Sequence, residues 1–370
     1  MRPEPAAYQY STLTADHQVR LVAAAITSGE IATWGARHLP ELESRVAARV
    51  GRAEALAVDS GSGALALAVR ALGLGPGHEV VIPEIGWVSI GAAVTDAGAR
   101  VVVAPATESL MPGWEQIQPL ITPATGAVIL AHIRGRSAPG TASIAAELEA
   151  RGIALIEDCA QAWGVTADQR PAGARGTLAT FSVQTYKMIA VGEGGLLAGD
   201  EPGLMALARA LGGDTRQSLP EAVWRGKRRM TEVSAALALP QLDFLDTLTT
   251  DLRALQTLVV DALADILGAD AVLPANEEIA DSNGSIVGVW LPDPDHARRV
   301  CDALFRAGLR SWWPGPGDLH TADAWPIQPA TRLVDARRYL DIQIPHLPLE
   351  LHKEFTETCA RVISETLAAA

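Results

Sequence analysis

Lysine is nearly missing from this chain. Of 30 basic residues only three are lysines, Lys187, Lys227 and Lys353; the rest are arginine. Cysteine is as scarce. Cys159, Cys301 and Cys359 are odd in number and far apart, which excludes a disulfide framework and a metal ligand set. No uninterrupted apolar run approaches the ~20 residues of a membrane helix. The opening Met1-Arg-Pro-Glu-Pro5 has no basic-then-apolar leader, so a cytoplasmic protein is expected. Positive charge is short overall. A net charge of −13 argues against a general binder of nucleic acid or anionic membranes, though not against a small anionic ligand held locally.

What is present is the composition of a folded protein, 48% apolar and 20% charged. At 370 residues, two or three domains or one large core with a smaller lobe are expected. From Ala55 to Asp158 short apolar runs alternate with helical patterns. Strands are predicted at 55–58, 80–82, 101–103, 127–131 and 153–156, and helices at 64–74, 90–97, 114–121 and 143–151. Nearly all-apolar strands alternating with helices indicate an α/β fold with a mostly parallel sheet covered on both faces. Two helices are expected before it, at 16–29 and 39–50. After it, residues 204–240 read as helical, with a basic cluster at Arg225-Gly-Lys-Arg-Arg229, and 242–267 as a long amphipathic helix. A strand at 285–291 and helices at 296–308 and 351–368 suit a smaller C-terminal lobe. The expected division is 1–245 for an arm and a large domain, and 246–370 for a small one.

In such sheets ligands sit at the carboxyl ends of strands. Asp59-Ser-Gly-Ser-Gly63 is a small-residue turn between strand and helix, which serves equally as an anion seat or as an ordinary helix cap. Trp87, His132 and Asp158 also fall at strand ends. Lys187 lies between the apolar run of Phe181 and the glycine turn Gly192-Glu-Gly-Gly195. A lysine amine can lose its proton and attack a carbonyl, which a guanidinium cannot. A phosphate-type turn, an aromatic cover, a strand-end carboxylate and such a lysine are the parts that hold pyridoxal 5'-phosphate. The lysine forms the Schiff base, and the carboxylate keeps the ring nitrogen protonated.

On these motifs the chain resembles the DegT/StrS sugar aminotransferases, fold-type-I pyridoxal-phosphate enzymes. Ser60-Gly-Ser-Gly-Ala-Leu65, Gly75-Pro-Gly-His-Glu-Val80, Ile156-Glu-Asp-Cys-Ala-Gln-Ala162, Phe181-Ser182 with Lys187, and Arg229-Met-Thr-Glu232 carry the likeness, in family order. The resemblance implies Lys187 and Asp158 as catalytic residues. It implies Gly61, Ser62, Gly63, Trp87, Asp158, Gln161, Ser182, Lys187 and Lys227 as cofactor contacts, no metal, and a homodimer with shared active sites.

Phe181-Ser-Val-Gln184 with Gly192-Glu-Gly-Gly195 resembles two branches that serve antibiotic biosynthesis. One comprises the glutamine-dependent aminotransferases of keto-cyclitols. The other comprises the aminohydroxybenzoate synthases, which dehydrate. The expected function is therefore transfer of an amino group from L-glutamine or L-glutamate to a keto-sugar or keto-cyclitol. The alternatives are a dehydratase of the second type and a non-catalytic binding protein on the same fold; retention of Lys187 opposes the latter. Three features depart from the family. Trp163 stands where a histidine is usual, and Lys227 stands for an asparagine that reaches the partner's cofactor phosphate. Arg134 and Arg136 occupy a loop that is usually uncharged, where they suit either a substrate anion or solvent.

Overall fold

The computed structural model describes residues 10–31, 36–214, 225–315, 318 and 329–369. The N-terminal lead-in up to residue 9 lies outside them. Two helices come first, α1 (Ala15–Ser28) and α2 (His38–Arg49). A seven-stranded sheet follows, made of β1 (Glu54–Val58), β2 (Glu79–Pro83), β3 (Arg100–Ala104), β4 (Thr125–Ala131), β5 (Ala154–Asp158), β8 (Leu178–Ser182) and β9 (Gly195–Gly199). The intervening β6 (Thr166–Ala167) and β7 (Arg170–Pro171) form a separate hairpin.

The sheet order is β1-β9-β8-β5-β4-β2-β3. Strand β9 pairs antiparallel with both neighbours, and the other pairs are parallel. The strands are buried on both faces, as the continuous runs Val80-Val-Ile82 and Val128-Ile-Leu130 require. The crossover helices are α3 (Gly61–Ala71), α4 (Ser89–Asp96), α5 (Trp114–Ile117) and α6 (Thr141–Glu149). The mostly parallel α/β fold read from the sequence is thus present.

Three helical expectations need correction. Residues 204–240 are not one helical stretch: α7 (Pro202–Leu211) ends at Gly212-Gly213, where Gly213 has φ +97°, a left-handed value that favours glycine. Residues 225–231 are irregular, and 215–224 lie outside the described residues. Among the described residues, helix resumes at α8 (Glu232–Leu267), where the Thr231 side chain caps Ser234 N. Pro240 lies inside α8 without ending it, so the helix expected from 242 starts ten residues earlier. The helix expected at 114–121 is one turn of α5 followed by a 3-10 turn containing Pro119.

Helix α8 packs on α1, α2 and the C-terminal helix α10 (Leu349–Ala368). The expected domain boundary at 245/246 falls inside it. A four-stranded antiparallel sheet holds the last part of the chain. It consists of β10 (Val272–Leu273), β11 (Ile286–Trp290), β12 (Ser311–Trp312) and β13 (Tyr339–Gln343), in the order β10-β11-β13-β12, with α9 (Pro294–Arg306) beside it. No helix among the described residues is long and apolar enough to cross a membrane.

Candidate active site

The registers of β1, β9 and β8 place Val58, Gly195 and Ser182 side by side. The turn after β1 therefore lies against the end of β8. Ser60 caps α3, its Oγ accepting from Gly63 N at 3.0 Å. The N–H groups of Gly61 and Ser62 occupy the first helical positions, where no intrahelical acceptor exists, so they and the positive helix end form an anion seat. Neither Gly61 nor Gly195 has room for a side chain. A Cβ at Gly61 would stand 2.9 Å from Ser182 Cβ, and one at Gly195 would stand 2.5 Å from Gly61 N. The glycines of this turn are thus required by close approach. Asp59 pairs with Arg228 at 3.3 Å, which fastens the turn to segment 225–231.

Asp158 ends β5, and strand alternation sends it to the face opposite its neighbour Glu157. It is buried, and its Oδ1 accepts from Ala160 N at 3.0 Å. Burial pushes its carboxyl up, opposed by the Ala160 N–H and by the positive charge of Lys187. Lys187 closes a turn in which its N–H donates to Gln184 O at 2.9 Å. Burial pulls its amine down to about 8; Asp158 opposes that shift and Arg134 adds to it. The two residues expected to be catalytic are thus each within the other's electrostatic reach.

The sign of the Lys187 shift is testable. The amine is a cation below pH about 8 and a neutral nucleophile above it. In protein stripped of ligands, modification of Lys187 by trinitrobenzenesulfonate should rise with a midpoint near pH 8, read by peptide mapping with exposed Lys353 as reference. A midpoint near the ordinary lysine value of about 10.4 would refute the assigned environment.

The other expected contacts are placed as follows. Gln161 lies half-buried after Asp158, its Oε1 accepting from Arg134 N at 2.9 Å. Trp87 is 40% exposed just before α4, beyond the end of β2. Lys227 is exposed beside Arg228, on the segment tied to the anion seat. Gln184 spends its side-chain oxygen on Tyr186 N at 3.0 Å, which makes it part of the lysine turn. Trp163 is a core residue. It donates to Ser182 O at 2.8 Å and packs on Phe181 with ring centroids 4.7 Å apart. His132 is wholly buried and bonded to Glu157 at 2.9 Å, away from solvent. Cys159 joins that pair in space, but burial pushes its thiol up and the carboxylate is already taken by backbone donors.

Two supporting residues, Gln241 and Asn283, escaped the sequence reading, and the role of a third, Glu232, did too. The Gln241 amide both accepts from Ala190 N at 2.8 Å and donates to Ala190 O at 2.9 Å, clamping the lysine loop to α8. Asn283 donates to Trp163 O at 3.1 Å, and its own N–H donates to Gly135 O at 2.9 Å, joining the loops after β5 and β4. Glu232, recognised within a motif, accepts from Arg37 N, His38 N and Leu39 N at 2.7–2.9 Å and so caps α2. The only signal for Gln241 and Asn283 was a polar residue within an apolar pattern, which does not name its partner; the motif named Glu232 but not its contact with α2.

The site fits pyridoxal phosphate on its own geometry. A helix N-terminus flanked by Ser182 offers the phosphate seat, a buried carboxylate faces the interior, and a lysine with a depressed amine lies near it. Comparison with known proteins agrees. The description of the DegT/DnrJ/EryC1/StrS aminotransferase family matches residues 13–307. The fold is shared with DesV of S. venezuelae, solved with a ketimine intermediate, at TM-score 0.83 and 25% identity over 98% of this chain and 99% of that one. It is also similar to 3-amino-5-hydroxybenzoic acid synthase, at TM-score 0.82 and 24% identity over 96% and 97%. DesI, solved in the presence of its TDP-sugar product, gives 0.81 and 24% over 96% and 92%.

Proposed function

Since the chain belongs to the DegT/DnrJ/EryC1/StrS aminotransferase family, we propose that it moves the amino group of L-glutamine or L-glutamate to a keto-sugar or keto-cyclitol. It is a pyridoxal-phosphate-dependent aminotransferase. The finer reading adds a role in secondary-metabolite biosynthesis and a cytoplasmic homodimer with shared active sites, in which exposed Lys227 faces the partner. The observation that carries it is the convergence of Lys187, Asp158 and the Ser60–Gly63 turn at one end of the sheet.

The bound cofactor supplies an electron sink that acidifies the hydrogen on the nitrogen-bearing carbon. The remaining work falls to the chain. The N–H groups of Gly61 and Ser62, with Ser182, would hold the phosphate. Asp158 would hold a proton at the ring nitrogen, because its buried carboxylate needs a positive partner. Trp87, exposed beyond the end of β2, would cover the ring and exclude water. The Lys187 amine is the base for the donor's α-carbon. The burial that lowers its amine favours the neutral form that a base requires, and the same group returns the proton as acid.

The test is optical. Adding L-glutamine to cofactor-loaded protein should bleach the visible band, and a keto-cyclitol or keto-sugar should restore it. A band that no amino donor changes would overturn transamination and favour elimination or binding.

A further inference from the structure

Two arginines in the loop after β4 are not used by the chemistry above. Arg134 has φ +56°, a left-handed conformation that costs a non-glycine residue about 1 kcal/mol or more. Its conformation is held by the bond from its N–H to Gln161 Oε1 and by Asn283 on the adjacent Gly135. The guanidinium is fixed from two sides by the C-terminal sheet. Asp341 Oδ2 lies 3.1 Å from Nη1, and the Trp312 ring centroid lies 3.8 Å from the guanidinium carbon. Asp341 and Trp312 are themselves cross-strand partners. Arg136 is buried two residues on, and its Nη2 donates to Ser109 O at 2.7 Å.

The charge balance is uneven. Among the described residues, Asp341 is the one carboxylate in ion-pair contact with either guanidinium. Arg136 and Lys187 each feel the charge of Arg134. The acidic groups felt by Arg136 are the buried Tyr339 phenol, which burial holds protonated, and Glu278, which is exposed. Like charges taken out of water are costly unless an anion joins them. A guanidinium with five donors, one edge paired and one face stacked, presents the rest in a fixed fork suited to an oxyanion.

We propose that Arg134 and Arg136 form an anion subsite that receives a carboxylate or phosphate of a substrate, with Asp341 and Trp312 as positioning residues. The subsite deepens the aminotransferase reading and rests on it. Two sources supply such a group: the carboxylate of the amino donor, or an anionic substituent on the acceptor.

Calorimetry on the cofactor-loaded protein separates them, with glutarate as carboxylate probe and inorganic phosphate as the other. Wild type should bind at least one. Arg134→Gln should weaken that binding roughly 10- to 100-fold, as loss of a charge-assisted bond implies. Since Arg134→Gln strands Asp341, Arg134→Gln/Asp341→Asn removes both charges and should show the same loss in a folded protein. If the donor carboxylate is the ligand, the kcat/KM preference for L-glutamate over 4-aminobutanoate should fall by a similar factor in both variants. If the loss appears with phosphate alone, the subsite serves the acceptor. Failure of wild type to bind either ion, or equal binding by all three proteins, would overturn the proposal. Because these binding measurements need no turnover, they stand apart from failure of the optical test of transamination.

Discussion

Alanine at position 187 should lower amino transfer by more than about 10⁴-fold, since the covalent role and the proton-transfer role are lost together. The visible band of the loaded protein should vanish with it. The cofactor should still bind, but reversibly. The Ser60 cap, the close approach of Gly195 to Gly61 and the position of Ser182 do not depend on the lysine side chain. Removal by dialysis should therefore be easy from the variant and slow from wild type. Arginine at 187 should be as inactive as alanine, because a guanidinium keeps its proton where this site brings an amine to about 8. Added ethylamine should restore part of the proton transfer in the alanine variant and none in the arginine one. Retention of the band, or of activity within tenfold of wild type, would show that another group is the cofactor lysine.

Much of this site is legible in the sequence because its parts are local. The Ser60–Gly63 turn, the strand end at Asp158 and the lysine turn each occupy a few consecutive residues, and the alternation of strands with helices says which end of the sheet they share. The supports are not local. Gln241 meets Ala190 across 51 residues, Asn283 meets Trp163 across 120, and Glu232 meets His38 across 194. Nothing in a polar side chain's own neighbourhood names a partner at that distance. The reversed direction of β9 is similarly hidden, since an apolar run carries no sign of its polarity. Gln184 and Trp163 show the opposite hazard. Both stand beside site residues in sequence, yet one hydrogen-bonds within its own turn and the other fills the core. The irregular path before α8 was misread because Ala- and Leu-rich segments on both sides of Gly212-Gly213 share a helical period.

Glutamine at position 157 should destabilise the protein by about 3 kcal/mol, the worth of the carboxyl's displacement from 4.5 to about 2. Burial acts first to raise that carboxyl. It is outweighed by His132 and by the N–H groups of Gly176 and Arg175. Gly173 N adds a further donor at 3.0 Å. His132 Nδ1 accepts from Ala138 N at 3.0 Å, which leaves Nε2 to carry the proton toward Glu157. Every group facing Glu157 is therefore a donor, and the amide of glutamine would turn N–H against N–H. The network ties loop 173–176 to β5 just ahead of β8, so Ser182 should lose its fixed position and cofactor affinity should fall as well. The pH dependence has a definite sign. With its folded value depressed, Glu157 contributes its full stability above the unfolded value near 4.5, and the contribution is lost as pH falls toward 2. Urea unfolding of wild type and Glu157→Gln should thus differ most near neutrality and converge in acid. A gap that stays constant down to pH 2, or that is under 1 kcal/mol at pH 7, would mean that Glu157 is not held as an anion by this ring of donors.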